Sequence, residues 1–204
     1  MKTDFKVVYK ELFSPKAGKF VEVVVPPLKY LMIDGSGNPN TATEYVTAIE
    51  ALYSISYTLK FFSKKELDRD YVVPPLEGLW WADDMSAFTR GVKDEWKWTM
   101  MIMVPEWITD QHVTDALHKV KVKNPDSRTE DVRCEVFDEG LSVQTMHIGS
   151  YDSEAPTLHE LHNVYMPEHG LEFNGLHHEI YISDPRKTEA AKLKTVLRQP
   201  VRKI

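Results

Sequence analysis

At 204 residues the chain is somewhat long for one ordinary domain and short for two. Its 42% hydrophobic and 27% charged residues suit a globular protein with a real core, and no apolar run approaches the roughly 20 residues of a membrane span. A formal net charge of −6, with both signs interspersed, leaves no basic footprint for phosphate backbones, so neither nucleic acid nor membrane is expected as a partner.

The opening 20 residues are polar and mixed and predict a short peripheral arm or edge strand. MKTDFKVVYK lacks the apolar stretch of a signal peptide, and a single cysteine, Cys134, suits a reducing compartment, so the expectation is a cytoplasmic protein. Residues 20–40 are β-branched and apolar, then break into Gly, Pro and Asn, which reads as a strand feeding a loop. Residues 41–66 carry the clearest helical pattern, with Val46, Ile49, Leu52, Tyr53, Ser56 and Leu59 recurring at three- and four-residue intervals and Thr43 placed to cap it. YVVPPLEGLWWADD (71–84) and EWKWTMMIMVP (95–105) read as two strands joined by a loop.

Residues 106–140 hold a second helical pattern and predict a further short helix near 129–138. LSVQTMHIGSYDS (141–153) alternates as a strand, and 157–170 reads as a helix with Leu158, Leu161 and Val164 or Tyr165 inward and Gly170 near its end. GLHHEIYISDP (175–185) is a strand, and 192–201 allows a final one. The order is strand–helix–strand–strand, a helical connector, then strand–helix–strand–strand. The expected fold class is therefore α+β, with tandem modules forming one curved antiparallel sheet and helices on the convex face. The whole of 1–204 is expected as a single domain, with module one at about 20–105, the connector at about 106–140 and module two at about 141–204.

The strand at 175–185 poses the functional question. His178, Ile180 and Ile182 share one face, while His177, Glu179 and Tyr181 share the other. A carboxylate between an imidazole and a phenol either meets water or lines a pocket. Glu77 stands four residues before Trp81 on the same strand face, so each half offers an acid beside an aromatic residue. Trp80 and Trp81 point to opposite faces of their strand, while Trp96 and Trp98 share a face of the next, a flat, polarizable wall suited to planar ligands. Core packing is the ordinary reading of any single aromatic residue, and a solvated edge that of any single Glu.

Other chemistries find little support. His159 and His162 are three apart on a helix, weak spacing for a metal, and neither a metal nor a cofactor is expected. Cys134 lacks a recognisable activating partner, and DGSGNPN lacks the Lys-Ser/Thr of a phosphate loop.

GLHHEIYISDPRKTEAAKLKTVLRQPV, with YVVPPLEGLWW and IEALYSISYTLKFF upstream, resembles the stand-alone gyrase-inhibitor-like (GyrI-like) small-molecule-binding family, from about residue 20 onward. The resemblance implies a pair of strand–helix–strand–strand modules, in agreement with the order above. Related domains form the effector-binding halves of multidrug-responsive regulators, in which a strand-borne Glu among aromatics attracts lipophilic cations. By its place in the motif Glu179 corresponds to that Glu. Some stand-alone members hydrolyse cyclopropanoid DNA-alkylating compounds with acidic and aromatic pocket residues, which carries Glu179 and Glu77 across as catalytic acids. Trp80, Trp81, Trp96, Trp98, Tyr181 and His177 are the ligand-binding residues expected with them. The partner implied is a planar lipophilic small molecule, with a homodimer allowed. The alternative is a protein-interaction module without catalysis, as the family's name suggests.

Overall fold

The computed structural model describes residues 2–204, apart from the side chain of Thr89. Along the chain the elements are α1 (Phe5–Val8), α2 (Lys10–Phe13), β1 (Val21–Val25), β2 (Leu28–Ser36), α3 (Thr43–Glu66), β3 (Leu76–Trp81), α4 (Ser86–Arg90), β4 (Lys97–Met103), α5 (Asp110–Lys123), β5 (Arg133–Phe137) and β6 (Gly140–Ile148). There follow α6 (Ala155–Glu160), a π-helical turn (Leu161–Tyr165), α7 (Met166–Glu168), β7 (Leu171–Phe173), β8 (His177–Tyr181) and β9 (Lys194–Lys203). The chain divides into two units, one of Leu28–Pro74 and Gly78–Phe137 with the residues up to Val8, the other of Tyr9–Pro27, Pro75–Glu77 and Asp138–Ile204.

In the first unit β2 is central, pairing antiparallel with β4 from Tyr30↔Met103 to Ser36↔Lys97 and with β5 from Leu28↔Phe137 to Met32↔Arg133. Its residues Leu31 and Ile33, with Met100, Met101 and Ile102 of β4, are fully buried. Helix α3 closes over them because Ala48, Ala51, Leu52, Ile55 and Leu59 repeat at helical spacing and form a single buried stripe. Helix α5 begins on a capping box: the Thr109 hydroxyl accepts from the His112 amide at 3.3 Å, and the Thr109 amide donates to His112 Nδ1 at 3.2 Å.

In the second unit β6 pairs with β1 and β9, and β9 pairs with β8 and β7, all antiparallel. Val143, Leu161, Met166, Leu171 and Val201 form its apolar core, against which Phe20, Leu141 and Tyr165 pack. The first half runs β2–α3–β3–β4 and the second β6–α6–β8–β9 in strand–helix–strand–strand order, with β1, β5 and the short β7 added, in the α+β class that the patterning predicts. Among the described residues no helix is long and apolar enough to cross a membrane.

Several local expectations change. The opening arm is two short helical turns, with Phe5, Leu12 and Phe13 buried: apolar side chains spaced for a turn outweigh the polar average. Pro26 and Pro27, which lack an amide hydrogen, split the apolar run at 20–40 into β1 and β2. The short helix expected near 129–138 is a 3₁₀ turn at Thr129–Asp131 followed by β5, because pairing with β2 gives Arg133–Phe137 a ladder that no helix would supply. Thr43 opens α3 but makes no cap; Ala42 holds the capping position without a side-chain bond.

Candidate functional site

Alternation along β8 sets His177, Glu179 and Tyr181 half-buried on one face and His178 and Ile180 fully buried on the other. The register Glu179↔Leu197 and Tyr181↔Thr195 fixes the row against β9. The Glu179 side chain is 15% exposed. Its Oε2 accepts the Tyr181 hydroxyl hydrogen at 2.8 Å, and His177 Nε2 lies 3.3 Å from Oε1. Tyr151 meets Tyr181 edge-on, with ring centroids 5.6 Å apart.

A second carboxyl group belongs to this site. Glu154, directly before α6, is only 4% exposed. Burial raises its pKa, the Glu179 charge raises it further, and although the Thr195 hydroxyl works the other way the group is pushed up to about 10. At neutral pH Glu154 is thus a protonated acid beside a carboxylate. Nearby, His162 stands edge-on to His177 at 6.3 Å and to Phe173 at 5.0 Å. Burial, reinforced by His177, lowers its pKa to about 4, so its ring is neutral.

The opposite face of β8 carries a buried ionic network. His178, 0% exposed, lies 3.0 Å from Glu77 Oε2 through Nε2 and 2.9 Å from Glu139 Oε1 through Nδ1. Glu139 also receives Arg198 Nη1 at 2.9 Å, and Arg198 donates to Gln144 Oε1 at 2.9 Å and to the Leu12 carbonyl at 2.8 Å. Burial opposes the charge on His178, but Glu139 and Glu77 outweigh it and push the imidazole up to about 9. Burial likewise opposes charge on Glu139, and His178 and Arg198 overcome it, holding the carboxyl at about 2. Two cations and two carboxylates thus compensate one another out of water. Glu77, expected beside a ligand, is 0% exposed in this network.

The tryptophans belong to the first unit. Trp98 is 0% exposed and meets Tyr45 edge-on at 5.2 Å. It lies so close to Gly35 that a Cβ there would stand 2.0 Å from the indole, so only glycine leaves room for it. Trp80, 4% exposed, packs between Tyr45 at 6.1 Å and Trp96 at 5.7 Å. Trp96 is half-buried, stacked on Phe88 at 4.7 Å with the Lys93 ammonium 5.6 Å from its ring. Trp81 is half-buried on the strand face opposite Trp80. Trp81 and Trp96 therefore keep free indole surface, whereas Trp80 and Trp98 are core side chains.

Sequence reading missed Glu154, Glu139 and His162 as members of these clusters. Glu154 precedes Ala155-Pro156 at a helix start, where an acid reads as an ordinary dipole complement. Glu139 sits in the tight link between β5 and β6 and reads as a turn residue. Two clefts of about 320 and 530 Å³ lie elsewhere, one on Phe13, Met146, Ile148 and Ile182, the other on Phe61, Phe62 and Lys119; neither touches Glu179 or a tryptophan. Among the described residues no group of three His, Cys, Asp or Glu side chains is arranged to hold a metal ion.

No curated protein matches the chain. An uncharacterized conserved protein from Listeria innocua is 40% identical over 98% of this chain and 100% of its own, with a TM-score of 0.91. A hydrolase from Listeria innocua is 39% identical over 99% of this chain and 100% of its own, with a TM-score of 0.89. The C-terminal domain of EcmrR, 11% identical over 91% of this chain and 98% of its own, shares the fold at a TM-score of 0.57. The model of the GyrI-like small molecule binding domain matches residues 19–202. With nearly the whole chain inside that match, the chain belongs to the GyrI-like small-molecule-binding domain family.

Proposed function

We propose that the protein captures planar, lipophilic small molecules, cationic or electrophilic, at the Glu179 face of β8, and that it hydrolyses cyclopropanoid alkylating compounds there. The observation that carries this reading is the pairing of the largely buried Glu179 carboxylate, held by Tyr181 at 2.8 Å, with a protonated Glu154. A carboxylate removed from most of its water attracts a diffuse cation more strongly than a hydrated one. A base and an acid side by side also suit the addition of water.

In that reaction Glu179 takes a proton from water as its oxygen attacks the strained ring. The cleaved carbon–carbon bond sends its electron pair into the conjugated dienone, whose carbonyl oxygen becomes a phenolate. Glu154 supplies the proton that makes the phenol, and the proton held on Glu179 returns to Glu154 through solvent. Water and substrate are consumed, and one ring-opened alcohol forms. Glu77, carried across by resemblance as a second acid, acts in this reading through His178 on the placement of β8. Within the first unit, Trp81 and Trp96 retain free indole surface, and Trp80 and Trp98 hold the aromatic cluster rigid. The 39% identical Listeria innocua hydrolase supports turnover over simple capture.

The test is product analysis by mass spectrometry after incubation with a cyclopropanoid alkylator in excess over protein. The expected result is water-added, ring-opened product over many turnovers, slowed by about 10²-fold or more in Glu179→Gln and Glu154→Gln. Stoichiometric capture without water-added product leaves binding and removes hydrolysis.

One observation favours the alternative, an interaction module without catalysis. On α3 Tyr53, Tyr57 and Phe61 form a ladder with centroids 6.3 and 6.4 Å apart, and Tyr57 and Phe61 are 48% and 61% exposed. Exposed aromatic ladders of this kind are common in protein contacts.

A further inference from the structure

Two buried ring nitrogens beside Glu179, Nδ1 and Nε2 of His177, lack a hydrogen-bond partner, and His162, which pairs with the Gln199 side chain, stands edge-on to that ring. Buried polar atoms are nearly always paired, so two unpaired ones on one ring point to a group that arrives from outside. The His177 side chain is only 11% exposed, and its Nε2 comes within 3.3 Å of Glu179 Oε1 without the geometry of a hydrogen bond.

The backbone behind the pair is unusual as well. His162 stands on the π-helical turn Leu161–Tyr165 that interrupts the helix after Glu160. Such a turn is less stable than α-helix and recurs at functional positions. Its wider step lets Leu161 fill the core, 0% exposed, while the next residue, His162, sets its ring against His177 and Phe173. The charged or titratable groups facing this corner include Glu179 and Tyr181 on β8, Glu154 before α6 and the two imidazoles themselves. Among the described residues no third ligand completes a metal-binding set with the pair.

We propose that His177, backed by His162, is the specificity-determining hydrogen-bonding group of the Glu179 site, taking an exocyclic amino, hydroxyl or carbonyl group of a planar ligand. A neutral imidazole offers one N–H and one lone pair, so it matches either polarity of partner. The proposal rests on the reading of Glu179 as the ligand's counter-charge. It adds that the preferred ligands are planar cations or electrophiles bearing a hydrogen-bonding substituent, as against bare aromatic cations.

The test uses two planar cations of similar size, 9-aminoacridinium, which carries an amino group, and 10-methylacridinium, which has no hydrogen-bonding group. Fluorescence titration of the full chain is expected to give tighter binding of the amino compound by about tenfold, the scale of one net hydrogen bond. His177→Phe is expected to collapse that preference to about twofold or less while leaving 10-methylacridinium affinity nearly unchanged. His177→Gln, which keeps a donor and an acceptor, is expected to retain part of the preference and serves if the Phe variant melts early. His162→Phe should shrink the preference without abolishing it.

A preference that survives His177→Phe overturns the proposal, as does an equal loss for both probes, which marks a packing role. Failure of both probes to bind the wild-type chain also counts against it. Glu179→Gln separates the two readings. It should weaken both cations and leave their ratio intact; unchanged affinities there sink the counter-charge reading, whatever the ratio does.

Discussion

The charge on Glu179 helps hold the neighbouring Glu154 carboxyl protonated, pushed up to about 10 in a site that is itself largely dry. That relationship has a thermodynamic signature. The folded chain keeps a proton on Glu154 that the unfolded chain releases above its ordinary value of 4.5. Stability from this group is therefore fully present below 4.5 and is lost as pH rises toward 10. Glu154→Gln, neutral at every pH, is expected to flatten that loss and to be more stable than wild type at pH 8 by on the order of 1–2 kcal/mol. Melting curves between pH 5 and 9 check it; identical slopes in the two proteins would remove the acid role.

The His178 network predicts a different signature. His178 is raised from 6.5 to about 9, so its contribution is complete below 6.5 and fades as pH rises through 9. Glu139 is lowered from 4.5 to about 2, so its contribution is present above 4.5 and fades as pH falls through 2. His178→Leu leaves Glu77 and Glu139 buried without the imidazolium and is expected to cost about 3–5 kcal/mol in urea unfolding at pH 6. A cost under about 1 kcal/mol would mean that the carboxylates take up protons or water at little expense.

How much of this was legible beforehand differs residue by residue. Helix α3 was readable as an element from the period of Val46, Ile49, Leu52, Tyr53, Ser56 and Leu59, but of these only Leu52, Ser56 and Leu59 are buried, and Ala48, Ala51 and Ile55 complete the stripe. The face of β8 was readable because alternation alone assigns Glu179 and Tyr181 to one side. Glu139 and Glu154 were not, since nothing local distinguishes an acid that meets His178 39 residues away from one in a solvated turn. Trp98 shows the same limit: its indole is core because Gly35, which is 63 residues earlier in the chain (98 − 35), pairs with it across β2 and β4.

Gly35 tests that packing directly. A Cβ at this position would lie 2.0 Å from the Trp98 ring, with the next indole carbons at 2.4 and 2.6 Å. Gly35→Ala is expected to destabilise by about 3 kcal/mol or more, since a buried indole has no room to retreat. Trp98→Phe in the same chain should recover part of the loss. Equilibrium denaturation of the two single variants and the double variant measures the coupling, and strict additivity would contradict the clash.

The aromatic ladder on α3 bears on the interaction reading and on a homodimer. If Tyr57 and Phe61 form a self-association face, sedimentation should give a concentration-dependent dimer that Tyr57→Lys and Phe61→Lys disperse. A monomer at every concentration, in wild type and variants alike, removes the homodimer.

The central claim is that Glu179 supplies the charge that draws a planar cation into this protein. Isothermal titration of 10-methylacridinium into the wild-type chain and into Glu179→Gln tests it most directly, because the substitution keeps shape and hydrogen bonding and removes only the charge. The expected result is saturable one-to-one binding to wild type, weakened by about 1–3 kcal/mol in the variant, with melting curves showing both proteins folded. Equal affinities for the two proteins would contradict the account.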